Sequence, residues 1–200
     1  MNEKHMKMKK YFIGILPDIK TRKKLTELKN KTIKLTEAKK NKTPLHITLK
    51  ENFKTDKIDD LITELKEKIS NFKPFKIKIR GFDIFDNEII ALKVKNNKTV
   101  QNLHEISMKI SNKYRKEKEK YFGSKIFKYK QKEYIKKYNS PYCFEFYNPH
   151  LTLCFHADPE KNDQVINFLR KNNLNFEFEV SKISIIDKDK HKIYKHLSIK

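Results

Sequence analysis

"PLHITLKE", residues 44–51, and "NPHLTLCF", residues 148–155, read as one phrase written twice. Each sets a Pro ahead of a His, and a Thr two places beyond it, in an apolar run with the character of a strand. Side chains of a strand alternate between its two faces, so His46 and Thr48 share a face, as do His150 and Thr152. The same alternation puts Lys50 beside His46 and Thr48. A single His-x-Thr is weak evidence, because a strand His next to a β-branched Thr is commonly structural. Two copies in matching surroundings ask for a common purpose.

Around the two phrases the order of elements also repeats. The first half reads strand "YFIGIL" (11–16), a helix over about 21–40, the strand "HITL" (46–49), a helix and the strand "FKIKIRGFDIF" (75–85). The second reads strand "EIIALKV" (88–94), a helix, the strand "HLTLCF" (150–155), a helix, the strand "FEFEVSKISII" (176–186) and a final strand "IYKHLSI" (193–199). Helices are called from apolar residues at helical spacing: Ile58, Leu61, Ile62, Leu65 and Ile69; Val100, Leu103, Ile106 and Ile110; Val165, Ile166 and Leu169. This predicts an α+β fold of two pseudo-symmetric lobes, each a small antiparallel sheet with helices packed outside, and a cleft between them. The whole chain is expected to be one bilobal domain, with halves at roughly 11–87 and 88–200.

Composition limits what such a domain can be. Two hundred residues suffice for one substantial domain or two small lobes. Hydrophobic content of 37%, charged content of 36% and a mean hydropathy of −0.83 fit a soluble protein. The longest N-terminal apolar run, 11–16, is too short for a signal segment or a membrane span, which points to the cytoplasm, or to a host cytoplasm if the source is viral. Cys143 and Cys154 form no disulfide framework and no metal-ligand spacing, so neither a metal nor a cofactor is expected. The formal net charge of +22 predicts attraction to polyanions such as RNA or nucleotides. Only four of the 47 basic residues are Arg, and the chain is rich in Asn and Ile, so an AT-rich coding sequence is the competing explanation.

One stretch has no counterpart in the first half. Residues 112–147 hold 11 Lys and Arg against 4 Glu, with 11 aromatics. Aromatics among cations suit base stacking with phosphate contact. An insertion that merely packs on the core reads equally well.

The paired motif suits phosphate chemistry. Two strands meeting across a cleft would bring two imidazoles and two hydroxyls into one small volume. Imidazole is matched to proton transfer near neutral pH, and a pair can divide the work of base and acid. Threonine hydroxyls can donate hydrogen bonds to the non-bridging oxygens of a phosphodiester as charge builds there.

"LHITL" and "HLTL" together resemble the paired signature of the 2H phosphoesterase superfamily, in which hydrophobic residues flank and separate a His and a Thr. That superfamily includes the bacterial 2′-5′ RNA ligase-like proteins and related cyclic nucleotide phosphodiesterases. The resemblance runs from about Tyr11 to Lys200. It implies a two-lobed fold, phosphodiester chemistry without a metal, and RNA or cyclic-nucleotide substrates. It also implies catalytic histidines at His46 and His150 and phosphate-holding hydroxyls at Thr48 and Thr152.

Lys50 is a candidate phosphate contact, and Tyr11 and Phe12 are candidates for lining the cleft and stacking a base. His104, in "NLHEISMK", lacks the second His of a zinc-binding helix and reads as a helix-surface residue. His156 would share the face of His150 and Thr152 if the strand ran that far. Cys154 reads as an apolar strand residue. The leading functional expectation is a monomeric phosphodiesterase that hydrolyses cyclic phosphodiester bonds in nucleotides or RNA ends, of the 2′,3′-cyclic phosphate type. Two alternatives stand beside it: a hydrolase of 3′,5′-linked cyclic oligonucleotide signals, and a non-catalytic RNA- or nucleotide-binding module. A basic scaffold that binds RNA through 112–147 is a further one. None of them calls for a membrane.

Overall fold

The stripe Ile58, Leu61, Leu65 and Ile69 is buried along one side of a helix, as its spacing predicts. The other apolar runs follow suit in a computed structural model that describes residues 8–38, 42–95, 97–116 and 127–200. In chain order the elements are β1 (Lys9–Ile15), α1 (Ile19–Thr36), β2 (Ile47–Thr55), α2 (Ile58–Ile69), β3 (Phe75–Phe85), β4 (Ile89–Val94), α3 (Lys98–Tyr114), α4 (Tyr129–Tyr138), β5 (His150–Cys154), α5 (Asn162–Lys171), β6 (Phe176–Val180), β7 (Lys182–Asp187) and β8 (Lys192–Ser198). Side chains cap the helices where the sequence permits. Asp18 accepts from the Thr21 N–H at the start of α1, and Asn97 from Thr99 and Val100 at the start of α3.

The fold is α+β. Its strands form one antiparallel sheet in the order β6-β3-β4-β5-β2-β1-β7-β8. The two four-strand halves join where β5 meets β2, through the pair Ile47↔Leu151. Strands from both ends of the chain mix in them: β7 lies against β1, and β6 against β3.

The run 176–186, expected as one strand, is two. Only Ser181 separates β6 from β7, yet they stand six places apart in the sheet. A flat sheet would set them roughly 29 Å apart at about 4.8 Å per strand, and one residue spans only about 3.5 Å. The sheet therefore curls until its ends approach. Gly81, at φ +74, lies where the β3–β4 register slips between Ile79 and Phe82. A residue free to take positive φ is suited to such a bulge.

One face of the curled sheet is the core. Ile13, Ile15, Ile47, Leu49, Ile77, Ile79, Leu92, Leu151 and Ile183 pack there against Leu25, Leu61, Leu65, Leu103, Val165 and Leu169 of the helices. Residues 127–147 return from α3 to β5 along this helical side. Met108 of α3, Tyr138 and Cys143 form a small second core there, with Tyr134 and Phe144 against it. No helix among the described residues is long and apolar enough to cross a membrane.

Candidate active site

The central pair β2–β5 brings the two repeated phrases together. They run antiparallel with Ile47 opposite Leu151. Carried one residue each way, that register sets His46 across from Thr152, and Thr48 across from His150. All four lie on the face opposite the helices, because Ile47 and Leu151 point into the core.

The same turn fixes both rings. His46 Nδ1 lies 2.7 Å from the Pro44 carbonyl, and His150 Nδ1 lies 2.8 Å from the Asn148 carbonyl. A carbonyl only accepts, so each Nδ1 carries the proton and donates it. Each neutral ring then keeps a free lone pair on Nε2. The Pro of each phrase lies at or next to the accepting carbonyl, which is how one local sequence produces one ring orientation twice.

Their surroundings differ. The His46 ring packs on Phe12, with centroids 4.5 Å apart, and sits over Gly14. A Cβ at Gly14 would stand 2.9 Å from the Ile47 carbonyl, so glycine lets β1 approach β2 this closely beneath the ring. Burial lowers the His46 pKa to about 4; the Pro44 carbonyl works against this, and the charges of Lys188 and Lys29 add to it. Phe85 stands beside the His150 ring at 5.1 Å, and the His150–Asn148 hydrogen bond lies at the surface where the His46–Pro44 bond is partly buried.

Alternation fails just past each threonine. Gly14 pairs with Thr48 but Ile13 pairs with Lys50, so Leu49 is an extra residue in β2. Likewise Ala91 pairs with Thr152 and Ile90 with Cys154, so Leu153 is extra in β5. Such a bulge turns the following side chain to the other face. Lys50 therefore leaves the face of His46 and Thr48. It lies in the core, 1% exposed, with its ammonium 6.0 Å from the Phe53 ring centroid. Cys154 turns inward in the same way, 3.8 Å from the Thr36 hydroxyl, and burial raises its thiol pKa.

Two other expectations need correction. Tyr11 and Phe12 are neighbours on β1, so they point to opposite faces. Phe12 reaches His46, whereas Tyr11 is a core residue against Phe53 and Tyr194, its hydroxyl pushed by burial to a pKa of about 12. β5 ends at Cys154, and His156 stands in a bend at φ 55, exposed and 3.5 Å from Glu88.

His104 is not a surface residue but is 2% exposed. Its Nδ1–H donates to the Leu49 carbonyl at 2.7 Å, and its Nε2 accepts from the Phe144 N–H at 3.1 Å. The Tyr147 ring stacks on it, with centroids 3.8 Å apart and planes within 2°, and donates its hydroxyl to the Thr48 carbonyl at 2.7 Å. The bulged stretch of β2 is thus gripped from the helical side at two successive carbonyls. No local pattern announces this grip, since a His in a helix and a Tyr 43 positions later share no sequence signal.

The sequence pattern of the 2′-5′ RNA ligase superfamily matches residues 17–192. No curated protein matches the chain in sequence. Among solved structures it is similar to TT0787 of Thermus thermophilus, at 16% identity and a TM-score of 0.63, over 95% of this chain and 97% of that one. It is also similar to E. coli LigT complexed with 3′-AMP, at 11% and 0.55, over 90% and 87% of the two chains. Usb1 of Kluyveromyces marxianus with uridine monophosphate follows at 12% and 0.51, over 95% and 98%. At these identities the likeness is one of fold.

Proposed function

The chain belongs to the 2′-5′ RNA ligase superfamily, and from that premise we propose that it is a phosphodiesterase that hydrolyses cyclic phosphodiester bonds in nucleotides or RNA ends, of the 2′,3′-cyclic phosphate type. His46 is the general base and His150 the general acid. The observation that carries this reading is the pair of imidazoles on one face of β2 and β5, each holding its Nδ1 proton on a backbone carbonyl and each with Nε2 free.

In the hydrolytic step, His46 Nε2 takes a proton from water as the water oxygen bonds to phosphorus. One P–O ester bond breaks, and His150, protonated at Nε2, gives its proton to the departing ribose oxygen. Thr48 and Thr152 donate to the non-bridging oxygens, where negative charge grows. Burial suits His46 to the base role, because it keeps the ring neutral in the physiological range. The surface position of the His150–Asn148 bond suits that ring to meet the leaving group. No step of this scheme calls on a metal ion.

The test is turnover by His46→Ala and His150→Ala on adenosine 2′,3′-cyclic phosphate and on cyclic di- and trinucleotides, with and without EDTA. Each substitution is expected to lower kcat by roughly 10²–10⁴-fold, typical of losing an acid or base, with substrate binding largely kept. Unchanged cleavage in either variant, or loss of activity in EDTA, would sink the mechanism. Nucleotide binding without turnover by the unsubstituted protein would favour a binding module instead.

A further inference from the structure

Across the sheet each threonine heads its own row of paired residues. From Thr152 the row runs to Ala91 and Asp83; from Thr48 it runs the other way to Gly14, Ser184 and His196. The two ends differ in charge.

At the Asp83 end the basic residues of this face have partners. Lys93 lies 3.3 Å from Asp83, and Lys76 and Lys78 lie 3.2 and 3.4 Å from the Glu177 carboxylate. Arg80 donates to the Asn175 side chain at 3.0 Å. Three of these four cations thus lie against carboxylates and the fourth against a neutral amide.

At the other end, Ser184 is 1% exposed, and its hydroxyl holds His196 by Nδ1 at 2.8 Å. The bond fixes the ring while His196 itself remains exposed, with Nε2 unused by that contact. Lys182 lies on the same face two residues before Ser184, and Lys182 and Arg22 are the charges acting on His196. Among the described residues neither makes an ion pair. Asp18, the acid nearest Arg22 in sequence, has its carboxylate engaged by Thr21 at the cap of α1. Cations gathered without a counter-charge repel one another, and an anion from outside relieves the repulsion.

We propose that His196 and Lys182 form a second phosphate subsite, which takes an internucleotide phosphate of the substrate whose terminal phosphodiester lies between His46 and His150. The inference rests on the reading of the chain as a phosphodiesterase and narrows it to oligonucleotides. Three strand steps separate His196 from Thr48, roughly 14 Å at about 4.8 Å per step, beyond the reach of the single phosphate of a cyclic mononucleotide. The chain of phosphates leaves the site over β7 and β8, because three of the four cations named on the opposite side already lie against carboxylates.

The experiment compares adenosine 2′,3′-cyclic phosphate with a short oligoadenylate ending in a 2′,3′-cyclic phosphate. For the unsubstituted protein kcat/KM is expected to favour the oligonucleotide. Lys182→Ala should cut that preference about tenfold, the worth of one charge-assisted contact, and flatten the dependence of log affinity on log salt by about 0.7, the value per phosphate contact on a single strand. His196→Ala should lower the preference with little change in that slope, because burial and the charges of Lys182 and Arg22 lower the pKa of its ring. Lys182→Ala removes no contact of the folded core, so it carries the test if His196→Ala disturbs Ser184. No preference in the unsubstituted protein, or an unmoved preference in Lys182→Ala, overturns the subsite. If neither substrate is cleaved, the phosphodiesterase reading fails on its own. Binding of 3′-phosphorylated oligoadenylate against 3′-AMP then decides: a tenfold weaker oligonucleotide in Lys182→Ala supports the subsite, and an equal one overturns it.

Discussion

At His46 one packing arrangement does two jobs: it orients the ring and sets its charge. Phe12, the Gly14 backbone and the turn back to Pro44 leave little water around the imidazole, so the charged form is penalised. A base works when deprotonated, so kcat/KM should fall as pH drops through the free-enzyme value near 4, well below the ordinary imidazole range. A bound phosphodiester brings negative charge that favours the protonated ring, so the acid limb of kcat should lie at higher pH than that of kcat/KM. A pH–rate profile on a cyclic phosphate checks both limbs; coincident limbs between pH 6 and 7 would contradict this account. His46, Thr48, His150 and Thr152 are readable from the sequence because alternation holds from each His to its Thr. Lys50 is not, because the alternation stops one residue later, and nothing in "TLKE" marks Leu49 as an extra residue. Gly14 is hidden for another reason: its role is the absence of a side chain against a strand 33 positions away.

At the level of elements, β2 is a bulged strand held from behind. The bulge takes Leu49 out of regular pairing, and carbonyls there need donors from elsewhere. His104 of α3 and Tyr147 supply them. His104→Leu would strip the donor from the Leu49 carbonyl and the acceptor from the Phe144 N–H, both in the interior. The expected loss is roughly 2–4 kcal/mol, read as a lower urea midpoint. A change below about 0.5 kcal/mol would mean that β2 does not depend on this grip. The insert gains a different meaning from this arrangement. Its aromatic and basic composition suggests a surface for bases and phosphates. In residues 127–147, Tyr134, Tyr138 and Phe144 pack on one another, with ring centroids 5.0–6.0 Å apart, while 117–126 lie outside the described residues. The segment ends on His104, on the helical side of the sheet. Composition alone does not distinguish aromatics that stack on bases from aromatics that stack on each other.

For the molecule as a whole, two histidines with lowered pKa values, the half-buried His46 and the buried His104, tie stability to pH. Burial lowers both His46 and His104 to about 4, whereas in the unfolded chain each titrates near 6.5. Between these values the unfolded state binds more protons than the native one, so stability rises with pH from about 4 to 6.5 and levels off above. Each site contributes roughly 2–4 kcal/mol across that window. Urea unfolding at pH 7 and pH 5 should show a clear loss at the lower pH, and His104→Leu should shrink the difference. A midpoint unchanged between the two would count against burial of the neutral rings.

Sequence alone was enough for most of the element order, the α+β class and the pairing of each His with its Thr, which are carried by short-range spacing, because a strand repeats every two residues and a helix about every 3.6. Membership of the superfamily was legible in the resemblance of the two His-x-Thr phrases to its paired signature. It took the folded chain to make β2 and β5 neighbours, to split the run 176–186 between the two ends of a curling sheet, and to turn Lys50 and Cys154 inward. Folding also sets one of two matching histidines in a more enclosed hydrogen bond than the other, and lays three cations at the Asp83 end against carboxylates. Those outcomes depend on which distant segments come to lie side by side. The period of a strand tells which residues share a face, but not what that face will meet.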